Sequence, residues 1–246
     1  MLSKIIASMK LTLFTIPNGI TCLNLVAGCI AIERAFAGDF RWAFLLIVIA
    51  AVLDFFDGFF ARLLKSYSEI GKELDSLADQ ISFGAAPAFV LFNMLRESGY
   101  TGWEPYLVFV VAAFSALRLA KFNLDTRQTT EFIGLPTPAN ALLLVSLVYL
   151  IGTEENGLLL FLLSSPWILI GLSLVLSLLL VSEIPMFSLK FKSFGWKGNG
   201  LRYSFLLISA LLLVFFRFYA VPSILLLYIL LSLSRNLLCK SKSVEP

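Results

Sequence analysis

The chain has 246 residues, 59% of them hydrophobic, with a formal net charge of +3. That charge is too small to suggest a nucleic-acid partner, and the absence of histidine removes the usual general base and metal ligand. Three cysteines, Cys22, Cys29 and Cys239, form no Cys-x-x-Cys pair and suggest no disulfide framework.

The mean hydropathy of +0.90 exceeds that of a soluble domain, and the apolar residues fall in runs that match the 20 or so needed to cross a bilayer. The expected fold is all-α, a polytopic helical membrane protein. Residues 1–15, with Lys4 and Lys10 set among Leu2, Ile5, Ile6, Met9 and Leu13, read as an amphipathic juxtamembrane segment. Membrane helices are expected at 16–36, 40–63, 75–96, 105–122, 137–152, 158–181, 201–217 and 219–236. Residues 16–181 thus form a six-helix core. A basic, aromatic loop (182–200) separates it from two further helices (201–236) and a tail (237–246).

Charge sets the expected orientation. With the N-terminus cytoplasmic, the inside segments carry Lys4, Lys10, Arg62, Lys65, Lys72, Arg118, Lys121, Arg127, Lys190, Lys192, Lys197, Arg202, Arg235, Lys240 and Lys242. The outside segments carry only Arg34, Arg41, Arg96 and Arg217. Positive charge concentrates inside in membrane proteins, so both termini are expected in the cytoplasm.

The exceptional stretch runs from Leu53 to Gly84. Asp54 and Asp57 are three residues apart, Asp75 and Asp79 four, so each pair shares a helix face. Four acids at the hydrocarbon edge repel one another and are costly to desolvate. Arg62, Lys65 and Lys72 offset part of this; paired divalent cations offset it better, and two metals can clamp a phosphoryl displacement. Gly58 lets a ligand approach the helix backbone, Ala61 keeps that face open one turn on, and Arg62 offers a planar fork to phosphate oxygens. The residues alone leave a structural polar network or a cation pathway open as alternatives.

The pattern Asp54-x-x-Asp57-Gly58-x-x-Ala61-Arg62, followed after eight residues by Gly71-x-x-x-Asp75-x-x-x-Asp79, resembles the signature of the CDP-alcohol phosphotransferase family. The resemblance implies a membrane enzyme with a six-helix core, commonly a homodimer, that needs Mg²⁺ or Mn²⁺, two ions per site. By position, Asp54, Asp57, Asp75 and Asp79 resemble the metal ligands, Asp79 also the general base, and Gly58, Ala61 and Arg62 the CDP-lipid site. An acid serving as both ligand and base is expected to bind metal weakly or through one oxygen. Gly71 is expected to set the loop that leads into the third helix.

Further stretches resemble the phosphatidylserine synthase branch of that family. They include Ile16-Pro17-Asn18-Gly19-Ile20-Thr21-Cys22-Leu23-Asn24-Leu25, Arg118-Leu119-Ala120-Lys121-Phe122-Asn123 and Gly134-Leu135-Pro136-Thr137-Pro138-Ala139-Asn140-Ala141. That resemblance implies transfer of a phosphatidyl group from CDP-diacylglycerol to L-serine with release of CMP, in a bacterial cytoplasmic membrane. Either Arg118 or Lys121 is a candidate for the serine carboxylate, with interfacial anchoring as the alternative. Asn18 and Asn24 are candidates for the cytosine or a phosphate, with helix-packing hydrogen bonds as the alternative. Ser68 is a weaker phosphate candidate against a solvated-loop reading. Another acceptor, glycerol 3-phosphate or an inositol phosphate, stays open because Lys121, Arg127 and the 190–197 loop leave room for a basic cluster.

Overall fold

A computed structural model describes residues 13–125, 132–153, 165–186, 195 and 199–242. Most of the expected juxtamembrane segment, Arg127, Lys190, Lys192, Lys197, the start of the expected sixth helix and the last four residues lie outside the described residues.

In hydrocarbon every backbone N–H and C=O must find a partner within the segment, so the apolar runs become helices. α1 is Ile16–Phe36 and α2 is Phe40–Leu63. Thr15 caps α1, accepting from the Asn18 N–H at 3.3 Å, and Asp39 caps α2, accepting from the Trp42 N–H at 3.1 Å. Two α-helices and a π segment follow without a break: α3 (Glu69–Asp79), the π segment Gln80–Ala85 and α4 (Ala86–Glu97). A 3₁₀ turn (Glu104–Phe109) leads into α5 (Val110–Leu124). Beyond it come β1 (Phe132–Ile133), α6 (Thr137–Thr153), α7 (Pro166–Val181) and β2 (Pro185–Met186). The two short strands pair antiparallel, Phe132 opposite Met186. α8 (Gly200–Phe216) and α9 (Ala220–Lys242) form a hairpin around the turn Arg217–Tyr219, with the Phe205 and Tyr228 rings 6.1 Å apart across it.

Among the described residues, four helical stretches are long and apolar enough to cross a membrane: Ile16–Phe36, Phe40–Leu63, Glu104–Leu124 and the broken run Gly200–Asn236. Thr137–Ile151 and Pro166–Val181 are shorter apolar helices. The protein is therefore an all-α, integral membrane protein.

The third helix differs from expectation. It begins at Glu69, not at residue 75, because Ser68 caps it, accepting from the Gly71 N–H at 2.9 Å. Gly71 consequently sits in the first helical turn and not in a loop. α2 closes with Ser66 N–H on Ala61 O at 3.1 Å and Lys65 N–H on Arg62 O at 3.3 Å, the Schellman pattern, with Lys65 at φ 50° where glycine is usual.

The connections gather at two ends. At one end Lys72 Nζ donates to Asn123 O at 2.9 Å, and Gly134 N–H to Ile184 O at 2.9 Å. Gly134, at φ 78°, lies so near the backbone of Leu180 that a Cβ would collide with it. At the other end the Tyr149 and Tyr219 rings lie 5.9 Å apart, and those of Phe44 and Phe218 lie 5.7 Å apart. The core between them is filled by Phe44, Ile47, Phe83, Leu91, Leu95, Leu143, Leu144 and Leu169, all fully buried.

α1 changes character along its inner face. Its buried positions are Asn18, Thr21 and Asn24 toward the first end, then Ala27, Gly28, Ala31 and Ala35. The small residues admit close packing, which in membranes replaces the hydrophobic drive between helices. Gly28 meets the backbone of Ser82, leaving no room for a methyl group.

Candidate active site

The four acids come from two helices that meet at the end of the bundle bearing Arg62, Lys65, Lys72 and Lys121. α2 supplies Asp54 and Asp57; α3 supplies Asp75 and Asp79. One oxygen each from Asp54, Asp57 and Asp75 falls within 4.8 Å of the others. Asp79 stands outside that triad but adjoins Asp54, carboxyl to carboxyl. Asp57 and Asp79 are buried, at 5% and 7% exposure, while Asp54 and Asp75 are half-buried.

α1 holds two of these acids from the side. The Thr21 hydroxyl lies 2.7 Å from Asp57 Oδ2 and donates to it, with Pro17 O its other neighbour at 3.0 Å. Asn24 Nδ2 donates to Asp79 Oδ1 at 3.3 Å. Ser82, in the π segment, donates to Asn24 O at 2.9 Å and so ties Asn24's backbone to the helix that carries Asp79. The π segment has a local cause. Pro87 lacks an N–H and its ring crowds the carbonyl four residues back, so the chain widens before it; Ala86 N–H reaches Ile81 O, five residues back. The extra residue turns the face that carries Asp75 and Asp79 relative to the face that α4 buries.

A cleft of about 210 Å³ opens beside the acids. Asp57, Gly58 and Ala61 form one wall, Ser66, Tyr67 and Ser68 the loop side, Gly71, Lys72 and Asp75 the opposite wall, and Pro17, Asn18 and Thr21 the third. A Cβ placed on Gly58 would meet nothing within 4 Å, so the space above its backbone is open to a ligand. Ala61 and Ser68 line the same cleft; Ser68 does so while capping α3. Arg62 is exposed and is not part of the cleft wall.

The remaining candidates separate. Asn18 lines the cleft, its Nδ2 donating to Leu13 O at 3.1 Å. Asn24 is fully buried, off the cleft, and engaged with Asp79. Lys121 is held elsewhere, donating to Glu183 Oε1 at 2.5 Å and to Val181 O at 3.2 Å. Arg118 is buried at 7% exposure, with its guanidinium 4.8 Å from the Phe122 ring. It makes no ion pair among the described residues, and its electrostatic neighbours are Asp79, Asp54 and Tyr228 of α9.

Thr21 was not singled out from sequence, although Asn18, Thr21 and Asn24 recur every third residue as a polar stripe in an apolar helix. Thr137 and Asn140, in the first turn of α6, are both fully buried, and the Thr137 hydroxyl and both Asn140 side-chain amide atoms lack hydrogen-bond partners among the described residues.

The donor set fits a hard divalent cation. All three triad members are carboxylates, and Asp75 Oδ1 is buried without a hydrogen-bond partner among the described residues, as an oxygen reserved for a metal would be. Apolar helices of membrane-spanning length, an interhelical carboxylate centre at one end and an open glycine beside it together define an integral membrane protein with a cation-suited acidic site at one end of its bundle.

Comparison with known proteins agrees. The pattern that defines the CDP-alcohol phosphatidyltransferase family matches residues 14–179, and the chain belongs to that family. It is 36% identical over 178 residues to the CDP-diacylglycerol–serine O-phosphatidyltransferase of Mycobacterium leprae, covering 70% of this chain but only 57% of that relative's length. It is 35% identical over 212 residues to the protein of the same name from Helicobacter pylori strain J99, covering 83% of each. The same name belongs to a relative from Methanocaldococcus jannaschii, 35% identical over 172 residues, covering 70% of this chain and 73% of the relative.

Proposed function

We propose that the protein transfers the phosphatidyl group of CDP-diacylglycerol to L-serine, forming phosphatidylserine and releasing CMP. The observation that carries this reading is the meeting of the carboxylate triad, the open cleft over Gly58 and the buried Arg118 at one end of the bundle. The relatives' shared name supports serine as the acceptor. The chain crosses a bacterial cytoplasmic membrane eight times, with both termini and the site on the cytoplasmic side, where its basic residues gather. A homodimer is proposed on the family resemblance alone.

Asp54, Asp57 and Asp75 would hold Mg²⁺ or Mn²⁺, two ions by the resemblance, with Asp79 as a weaker fourth ligand. The bound cations supply Lewis-acid stabilisation of charge on the pyrophosphate oxygens. The acyl chains lie between helices in the bilayer. The CDP group lies over Gly58 and Ala61, with Asn18, Ser68 and Lys72 along the walls and Arg62 reaching from the exposed rim. Arg118 receives the serine carboxylate as a two-pronged donor. Lys121, occupied by Glu183, fastens the end of α5.

Asp79, oriented by Asn24, takes the proton from the serine hydroxyl. The serine oxygen forms a bond to the lipid-side phosphorus. The bond from that phosphorus to the bridging oxygen breaks, and CMP departs with the electron pair. Nothing in the site calls for a covalent intermediate. The acceptor is tested by following CMP release from CDP-diacylglycerol with L-serine, glycerol 3-phosphate or an inositol phosphate in turn; release with serine alone is expected. The base is tested with Asp79→Asn, which would retain near-normal turnover if another group took the proton.

A further inference from the structure

Four arginines mark the end of the bundle opposite the acids: Arg34, Arg41, Arg96 and Arg217. The chain itself satisfies two of them. Arg34 pairs with Glu33 at 2.5 Å. Arg96 Nη1 donates to Thr101 O at 2.8 Å, and its guanidinium lies 5.7 Å from the Phe92 ring centre. Arg41 and Arg217 are different, because neither has an ion pair or a side-chain hydrogen bond among the described residues.

These two converge on one cavity. It measures about 460 Å³ and is lined by Arg41, Tyr149, Arg217, Phe218 and Tyr219. Its aromatic walls are fixed from behind, since Tyr149 stacks on the buried Phe44 with ring centres 4.8 Å apart. Arg41 comes from the first turn of α2 and Arg217 from the turn between α8 and α9, so the core and the C-terminal hairpin each contribute one cation.

The backbone at Arg217 is a second, independent observation. It has φ 51° and ψ −130°, a turn conformation that suits glycine and strains any residue with a Cβ. An arginine at such a position points to use of its side chain. Trp42, which follows Arg41, and Phe215 and Phe216, which precede Arg217, are exposed, as are the rings of the aromatic belt found where a bilayer meets water. A cavity at that level faces headgroups, and two guanidinium forks match phosphate oxygens.

We propose that this cavity binds the phosphate of an anionic membrane phospholipid, on the face of the protein opposite the carboxylate centre. Arg41 and Arg217 contact the phosphate oxygens, Tyr219 adds a hydroxyl donor, and the exposed aromatic residues contact the upper acyl chain. The site is separate from the reaction and stands whichever alcohol is the acceptor.

The test is native mass spectrometry of the full chain, delipidated in detergent and titrated with phosphatidylglycerol. Wild type is expected to retain one lipid per chain that Arg217→Gly and Arg41→Gln bind at least tenfold more weakly. Arg217→Gly suits the turn and is expected to keep the wild-type thermal midpoint; if it fails to fold, Arg41→Gln carries the same test. Diacylglycerol with the same acyl chains, lacking phosphate, is expected not to be retained. Equal retention by wild type and both variants would overturn the proposal, as would equal retention of diacylglycerol. Displacement of the lipid by millimolar inorganic phosphate would make this a site for soluble anions and overturn the lipid assignment.

Discussion

Thr21→Val removes a single hydroxyl from the site and keeps the shape of the side chain. Thr21 is buried at 3% exposure, and its hydroxyl lies 2.7 Å from Asp57 Oδ2, itself a member of the carboxylate triad proposed to hold metal. A hydrogen bond to a charged group contributes about 1.5–3 kcal/mol. At about 1.4 kcal/mol per factor of ten, that corresponds to roughly 10- to 150-fold. Loss of a group that orients a metal ligand separately costs about 10- to 100-fold in metal affinity. The two ranges overlap, so the concentration of Mn²⁺ giving half-maximal activity is expected to rise about 10- to 100-fold. Saturating metal is expected to restore most of the turnover, because Asp79, the proposed base, is untouched. The assay is CMP release against Mn²⁺ concentration, with gel filtration and thermal unfolding to confirm the fold. A half-activating concentration within about twofold of wild type would show that Thr21 does not position Asp57 for a metal.

The other predictions concern the neighbours of that centre. Asn24→Ala frees Asp79 from its 3.3 Å donor; turnover is expected to fall about 10- to 100-fold with little change in half-activating metal, the reverse of Thr21→Val. Gly28→Ala sets a methyl group against the Ser82 backbone; it is expected to lower the thermal midpoint, at a cost of about 1–3 kcal/mol, and an unchanged midpoint would mean that α1 and the π segment can separate freely. Arg118→Lys replaces a two-pronged donor with a point charge and is expected to raise the KM for serine at least about tenfold while leaving that for CDP-diacylglycerol unchanged. Lys121→Met breaks a partly exposed pair with Glu183, worth at most about 1 kcal/mol, and a hydrogen bond to Val181 O, both away from the cleft, and is expected to leave both KM values near wild type.

The sequence made the acids legible because four ionisable groups have no business in apolar helices unless something binds them. Spacing alone put Asp54 with Asp57 and Asp75 with Asp79, and the glycine at position 58 marked the open wall. Most helix positions were legible for the same reason, since a bilayer leaves the backbone few choices. What escaped was local competition. The Ser68 cap extended α3 back to Glu69 because a side-chain acceptor for free N–H groups outweighed the glycine at 71. The π segment was hidden because Pro87 acts through a carbonyl four residues away. Arg118 and Lys121 looked alike as cations three residues apart on one helix. Only the fold, which brings Glu183 to Lys121 and buries Arg118 near Asp54, Asp79 and Tyr228, separated a paired, partly exposed lysine from a buried arginine. The sequence left Asn24 open as a ligand-reading amide or an interhelical hydrogen bonder, and the fold gives that amide to Asp79 on another helix.

The most direct measurement supplies purified protein in detergent with CDP-diacylglycerol, Mn²⁺ and labelled L-serine, and follows label entering lipid alongside CMP release. Label in lipid, matched by CMP one for one and abolished by EDTA and by Asp57→Ala, is the expected result. Folded protein that releases CMP only with a different alcohol would contradict the serine assignment. Folded protein that yields neither labelled lipid nor CMP with any alcohol tested would contradict metal-dependent phosphatidyl transfer at the carboxylate centre.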